Sequence, residues 1–245
     1  DSIIYFGKWA EKKKSHYKTA FSFNRKNIKG VSLNQIYMLW GDSLHYRGFK
    51  GEDMTIAVLD AGFYNVDSLD CFSHLFQNSR ILGTYDFVDQ ENDVYNDDTH
   101  GMSVLSCMAA DLDGGLIGTA PNASYYLLRT EDSYSENLIE EYNWVCGAEF
   151  ADSIGVDVIN SSLGYTTFDY SIQNYEYNNL DGRTSPSSIA ANMAARKGII
   201  VVNAAGNSGN GNWKYIGAPA DADSILTVGA VDENKEIASF SSYGP

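Results

Sequence analysis

Four short stretches of this 245-residue chain hold side chains that could do chemistry. Asp60 closes the run Thr55-Ile-Ala-Val-Leu-Asp60 and is followed by Ala61-Gly62. A carboxylate at the carboxyl end of an apolar strand, beside a glycine that lets other groups approach, can orient a base or take part in proton transfer. The position equally suits a cap or a turn. Phosphoryl transfer to an Asp ordinarily asks for a second Asp two residues on, and Gly62 stands there. His100 lies in Asp97-Asp98-Thr99-His100-Gly101, at the opening of an apolar helical pattern. An imidazole so placed is open on one side and held on the other, as a general base requires, although a surface-loop histidine also fits. His16, His45 and His74 lack such a context and read as structural or solvated.

Asn207 comes after Val201-Val-Asn-Ala-Ala-Gly206, just past an apolar run. The small residues Ala204 and Gly206 leave room for something to pass close to the backbone, and a carboxamide there can donate to a developing oxyanion or simply form a turn. The run Val158-Ile-Asn-Ser-Ser162-Leu163-Gly164 also ends in small residues, where an extended peptide could pair through main-chain hydrogen bonds.

The elements that must position these groups alternate between strand and helix. Met54–Asp60, Ile81–Val88, Ala123–Arg129, Val156–Ser162, Ile199–Asn203 and Ile225–Val231 are mostly unbroken apolar runs rich in Val and Ile, as expected of strands buried on both faces. Helical spacing predicts Gly101–Ala110, Glu136–Ile154 with a stripe of Leu138, Tyr142, Val145, Cys146 and Ala148, and Ser187–Lys197 stopped by Gly198. The expectation is a three-layer α/β fold, a mostly parallel sheet with helices on both faces, whose reactive groups collect at the carboxyl ends of the strands. Residues 165–186 read as a long surface loop, and residues 1–50 stand outside the repeating pattern.

Charge is divided along the chain. Residues 1–30 carry eight of the 17 Lys and Arg and read as a basic linker; residues 31–245 carry nine basic and 30 acidic groups. So acidic a body repels nucleic acid and anionic membranes. No apolar run is long enough to span a membrane, so no membrane span is expected, and no signal-peptide pattern is present. Cys71, Cys107 and Cys146 cannot all pair with one another and form no Cys-x-x-Cys; Cys107 and Cys146, in apolar helical stretches, are expected to be buried free thiols.

Taken together and in this order, these stretches resemble the subtilisin family of serine peptidases. Ile56-Ala-Val-Leu-Asp60-Ala-Gly62 is similar to its catalytic Asp segment, Thr99-His100-Gly-Met-Ser-Val104 to its catalytic His segment, Ser162-Leu163-Gly164 to its substrate-binding strand, and Ala204-Ala-Gly206-Asn207 to its oxyanion segment. Val228-Gly-Ala-Val231 through Ala238-Ser-Phe-Ser-Ser-Tyr-Gly-Pro245 resembles the next segment of many members, and the chain is similar to secreted subtilases of the Bacteroidetes group. The resemblance implies acyl transfer to water, with His100 as base, Asp60 orienting it and Asn207 binding the oxyanion. It implies protein or peptide substrates contacting Ser162, Leu163, Gly164, Ala204 and Gly206, and a secreted or periplasmic location. An inhibitory pro-segment is implied as a further partner, with Ile3-Ile-Tyr-Phe6 as a candidate last strand of it and the stretch 8–29 as processing linker. Calcium is compatible with the acidic body; no stretch has ligand spacing, so no metal-ligating residue is assigned.

Met102-Ser103, Ala61 and Tyr165 depart from the commonest residues of the family at their positions. The larger departure is the nucleophile. The family places its serine in Gly-Thr-Ser-Met-Ala, and no Gly-Thr-Ser occurs in these 245 residues. The serine is therefore expected on a segment beyond Pro245, the fold incomplete at that end and the fragment alone inactive. A catalytically inactive peptide-binding relative is the alternative. A nucleotide-binding α/β protein is disfavoured, because the turn after Asp60 lacks Gly-x-Gly-x-x-Gly.

Overall fold

The computed structural model describes residues 32–244; the basic linker and the candidate pro-segment strand lie outside them. Six parallel strands form one sheet: β1 (Thr55–Asp60), β2 (Ile81–Asp86), β3 (Ser124–Arg129), β4 (Val158–Ser161), β5 (Ile200–Ala204) and β6 (Leu226–Val228), in the order β2-β3-β1-β4-β5-β6. Each overlaps one of the six predicted runs, and in β1, the most buried strand, apolar side chains stand at nearly every position because both faces are covered. Two short helices, α1 (Leu33–Met38) and α2 (Gly41–Tyr46), precede the sheet, and α3 (Ser73–Gln77) precedes β2.

The longer helices match the predicted stretches with small shifts. They are α4 (His100–Ala109), α5 (Leu138–Ile154) and α6 (Pro186–Arg196). Ser185, not Ser187, caps α6: its Oγ accepts from the Ser188 amide, and Pro186 takes the first helical position, where its missing N–H costs nothing. Helices lie on both faces. One core joins β1, β4 and β5 to Trp144, Ala148 and Ala151 of α5 and Ala191 and Ala194 of α6; the other packs Leu105 and Ala109 of α4 with Val58, Phe63, Phe72 and Leu127.

Three expectations need correction. Of the predicted stripe on α5, Ala148 is buried and Leu138 packs against the core, but Tyr142 is 51% exposed and Cys146 is exposed; the other buried positions are Glu140, Glu141, Trp144, Gly147 and Ala151. Close approach selects the buried face: a Cβ on Gly147 would stand 3.0 Å from Thr130 and 3.1 Å from Leu59, so the small residues of the helix, not Tyr142 or Cys146, meet β1. Cys107 is likewise exposed, opposite the Gly101, Leu105 and Ala109 face of α4, so Cys107 and Cys146 are free thiols but not buried ones. Finally, β6 and part of β5 are not covered on both faces, since Ile200, Leu226 and Val228 are exposed. His45 and His74 are structural, bonding the carbonyls of Thr119 and Pro121; His16 lies outside the described residues.

The placement of Trp144 and Tyr142 on α5 is measurable. Trp144, fully buried with its indole N–H donating to Ser161 Oγ at 3.0 Å, should cost about 3–5 kcal/mol when changed to Ala. Tyr142→Ala should stay within about 0.5 kcal/mol, as at an ordinary surface site. Urea unfolding compares the two, and equal losses would return Tyr142 to the core.

Candidate active site

All six strands run in parallel, so their carboxyl ends share one edge of the sheet. Asp60 ends β1, Asp86 ends β2, Arg129 ends β3, Ser162 comes just after β4 and Ala204 ends β5. Asp60 is fully buried. Its Oδ1 accepts from the Ala61 amide at 2.8 Å and from His100 Nδ1 at 2.6 Å. The His100 side chain, half exposed at 49%, begins α4, and the Asp60 bond fixes Nδ1 as the donor, leaving Nε2 to accept a proton.

Two glycines permit this contact. A Cβ on Gly101 would lie 2.4 Å from the Gly62 carbonyl oxygen and 2.9 Å from Asp60 Cβ. Gly62 itself has φ +148°, and a Cβ there would meet the Asp98 amide nitrogen at 2.5 Å. The first turn of α4 can therefore sit on the end of β1 only because both positions lack side chains. Asp98 Oδ1 accepts from the His100 amide at 2.6 Å and steadies the same turn.

Behind the pair sits Arg129, a residue that spacing alone did not single out. It is 4% exposed. One of its nitrogens, Nη1, donates to Asp86 Oδ2 and Asp89 Oδ2 at 2.7 Å each and lies 3.4 Å from Asp97 Oδ1; Nε donates to the Ala61 carbonyl at 3.2 Å. The guanidinium thus ties the residue after Asp60 to the loop that leads into His100. Asp86, Asp89 and Asp97 cluster closely enough to suggest a metal site, but Arg129 already occupies the cation's place.

The remaining candidates lie beyond β4 and β5. Leu163 is buried, Ser162 half-buried and Gly164 exposed beyond β4; Asn207 is exposed in the loop after β5, next to Gly206 at φ +109°. Asn203, fully buried and also missed, joins these segments: its Nδ2 donates to the carbonyls of Leu163 at 3.1 Å and Ala204 at 2.8 Å. Tyr165 leaves the sheet by pairing both its amide and its carbonyl with Ala218, while its hydroxyl donates to Glu131. The structure therefore brings Asp60 and His100 into direct contact and sets the strand after β4 and the loop after β5 along the same edge.

The Asp60 hydrogen bond raises the His100 pKa above its ordinary 6.5 against the opposing effect of burial, and the charge of Asp98 adds to the rise. A folded-state pKa above the unfolded one stabilises the fold below the unfolded value, and that contribution fades as pH climbs through the folded one. The ring is neutral, and able to take a proton, only above the raised value. An NMR titration should place the His100 midpoint above 6.5, and Asp60→Asn should lower it. An unmoved midpoint would deny the coupling. Separately, Arg129→Met should cost about 3–5 kcal/mol in chemical denaturation, because it leaves the buried Asp86 carboxylate without its cation.

Comparison with known proteins places this arrangement. The model of the subtilase family matches residues 51–245. The chain is 36% identical to Subtilisin DY of Bacillus licheniformis over 213 residues, covering 85% of this chain and 68% of that protein. It is 36% identical to Subtilisin E of Bacillus subtilis over 206 residues, covering 82% of this chain but 47% of that protein, so it spans about half the length of that relative. Among solved structures, a psychrophilic subtilisin-like protease, Apa1 of Pseudoalteromonas sp. AS-11, superposes with a TM-score of 0.56 at 23% identity, over 84% of this chain and 43% of that one, a likeness of fold.

Proposed function

The chain belongs to the subtilase family, and from that premise we propose that it carries the acid, base and oxyanion-binding part of a serine endopeptidase. The observation that carries this reading is the 2.6 Å bond between His100 Nδ1 and the buried Asp60 carboxylate. It orients the imidazole so that Nε2 takes the proton of a serine hydroxyl as the serine oxygen bonds to the scissile carbonyl carbon. Asp60 stabilises the resulting imidazolium. Asn207 donates to the oxyanion, and His100 then returns the proton to the leaving amine. Water repeats the sequence on the acyl-enzyme.

The substrate peptide lies along Ser162–Gly164, where Gly164 offers main-chain groups without a side chain in the way, and Ala204 and Gly206 wall the opposite side. No Gly-Thr-Ser occurs within the 245 residues, and we place the nucleophile on a segment outside them. The exposed apolar side chains of Ile200, Leu226 and Val228 give such a segment a surface to bury. Secretion to the exterior or periplasm and a pro-segment partner belong to the same proposal. No described helix is long and apolar enough to cross a membrane.

Proteolysis of a denatured protein tests this directly. The 245-residue chain should not cleave it, and a chain extended through a Gly-Thr-Ser segment should. In that longer chain His100→Ala should lower kcat on the order of 10⁶-fold, the scale of this role in a subtilisin. Asp60→Asn should cost roughly 10⁴-fold and Asn207→Ala about 10²–10³-fold. Equal cleavage by both chains sinks the missing-serine assignment. Peptide binding without hydrolysis by the extended chain would make the protein a binding module instead.

A further inference from the structure

Two carboxylate trios lie at the carboxyl edge of the sheet, in each of which one oxygen per residue falls within 4.8 Å of the others. Arg129 supplies the cation of the first, Asp86, Asp89 and Asp97. The second, Glu131, Glu136 and Glu140, forms no ion pair among the described residues. Glu131 Oε2 accepts from the Tyr165 hydroxyl at 2.8 Å, and Glu140 Oε2 accepts from the Asn137 amide at 3.1 Å. Glu140 Oε1 has no partner at all, although the residue is only 1% exposed.

The surroundings add negative charge. Burial first, then mutual repulsion, pushes Glu131 up to about 8 and Glu140 to about 7, and burial with the Asp169 charge pushes Glu136 to about 7. The charge of Asp60 acts on Glu131 and that of Asp132 on Glu140 in the same sense, while the backbone amides of Asn137 and Asp132 pull Glu140 the other way. The charged groups that act on the trio are all acidic; the groups that donate to it are neutral, the Tyr165 hydroxyl and the backbone amides of Asn137 and Asp132. Three carboxylates removed from water with no counter-charge hold on to protons, and a cation that reaches them can take the protons' place.

Glu136 indicates where that cation comes from. Besides belonging to the trio, it lines a cleft of about 320 Å³ together with Gly164, Thr166, Thr167, Phe168 and Asp169. Gly164 ends the strand assigned to the peptide. The Arg129 site demonstrates that carboxylates at this spacing, in this fold, accept a guanidinium. We propose that Glu131, Glu136 and Glu140 form a subsite for a lysine or arginine side chain of a peptide lying along Ser162–Gly164. This inference rests on the peptide-binding reading of that strand.

The test uses N-acetylated peptides that differ only in carrying arginine or its neutral isostere citrulline at one scanned position, with binding to the chain followed by fluorescence anisotropy. At one position the arginine peptide should bind roughly tenfold tighter at about pH 8.5, about the strength of one charge-assisted hydrogen bond. That ratio should shrink toward unity at about pH 6 as the carboxylates take up protons while arginine keeps its charge. Glu136→Gln, with the fold checked by circular dichroism, should reduce the ratio as well; the pH series needs no variant. Binding of both peptides with equal affinity at every position overturns the subsite and leaves the strand assignment intact. Binding of neither overturns the strand assignment and the subsite with it. A calcium-induced rise in Tm that Glu140→Gln abolishes would also overturn it, making the trio a metal site.

Discussion

The guanidinium of Arg129 is the contact on which the active edge depends. A buried cation is tolerable only when its charge is matched and its donors are engaged, and here they reach three segments at once: the end of β2, the loop from Asp89 to Asp97, and the carbonyl just past Asp60. Without it, the loop that delivers His100 would have to hold Asp97 beside Asp86 with nothing between two like charges. The Asp60–His100 bond is thus the outer layer of a deeper ionic knot, and the same knot removes Asp86, Asp89 and Asp97 from consideration as metal ligands.

Close packing supplies the second constraint. Charge can draw α4 toward β1, but only missing side chains let it arrive. Gly62 and Gly101 meet across the junction, with the carbonyl of one where the Cβ of the other would stand. The result is an imidazole seated on a carboxylate that is itself sealed from water, so the dipoles around the pair are in place before any substrate comes.

Much of this architecture was readable from residue types. The six strands lie in the predicted, mostly apolar runs, a pattern that burial on both faces imposes on β1 most completely. Helix positions were equally legible; helix orientation was so only in part. The predicted stripe obeys helical spacing, and its Ala148 and Leu138 do meet the core, yet α5 turns Trp144, Gly147 and Ala151 inward in place of Tyr142 and Cys146 because proximity to Leu59 favours small side chains. Asp60 and His100 are 40 residues apart, and no local periodicity joins them. They became a pair only through the order of several motifs. Arg129 and Asn203 were invisible for a related reason: each gains its meaning from partners contributed by distant segments, and no spacing rule encodes such a meeting.

The strand order has a consequence for how the molecule must assemble. Each ladder joins strands far apart along the chain; Thr55 of β1, for example, is in register with Ser124 of β3 and Ile56 with Val158 of β4. Every such pairing closes a large loop, and its entropy is lost before the hydrogen bonds repay it. No pair of neighbouring strands can form as a quick local hairpin and serve as a nucleus. A polypeptide wired in this way acquires its native state slowly, and meanwhile displays the sticky Val- and Ile-rich segments that it will later hide.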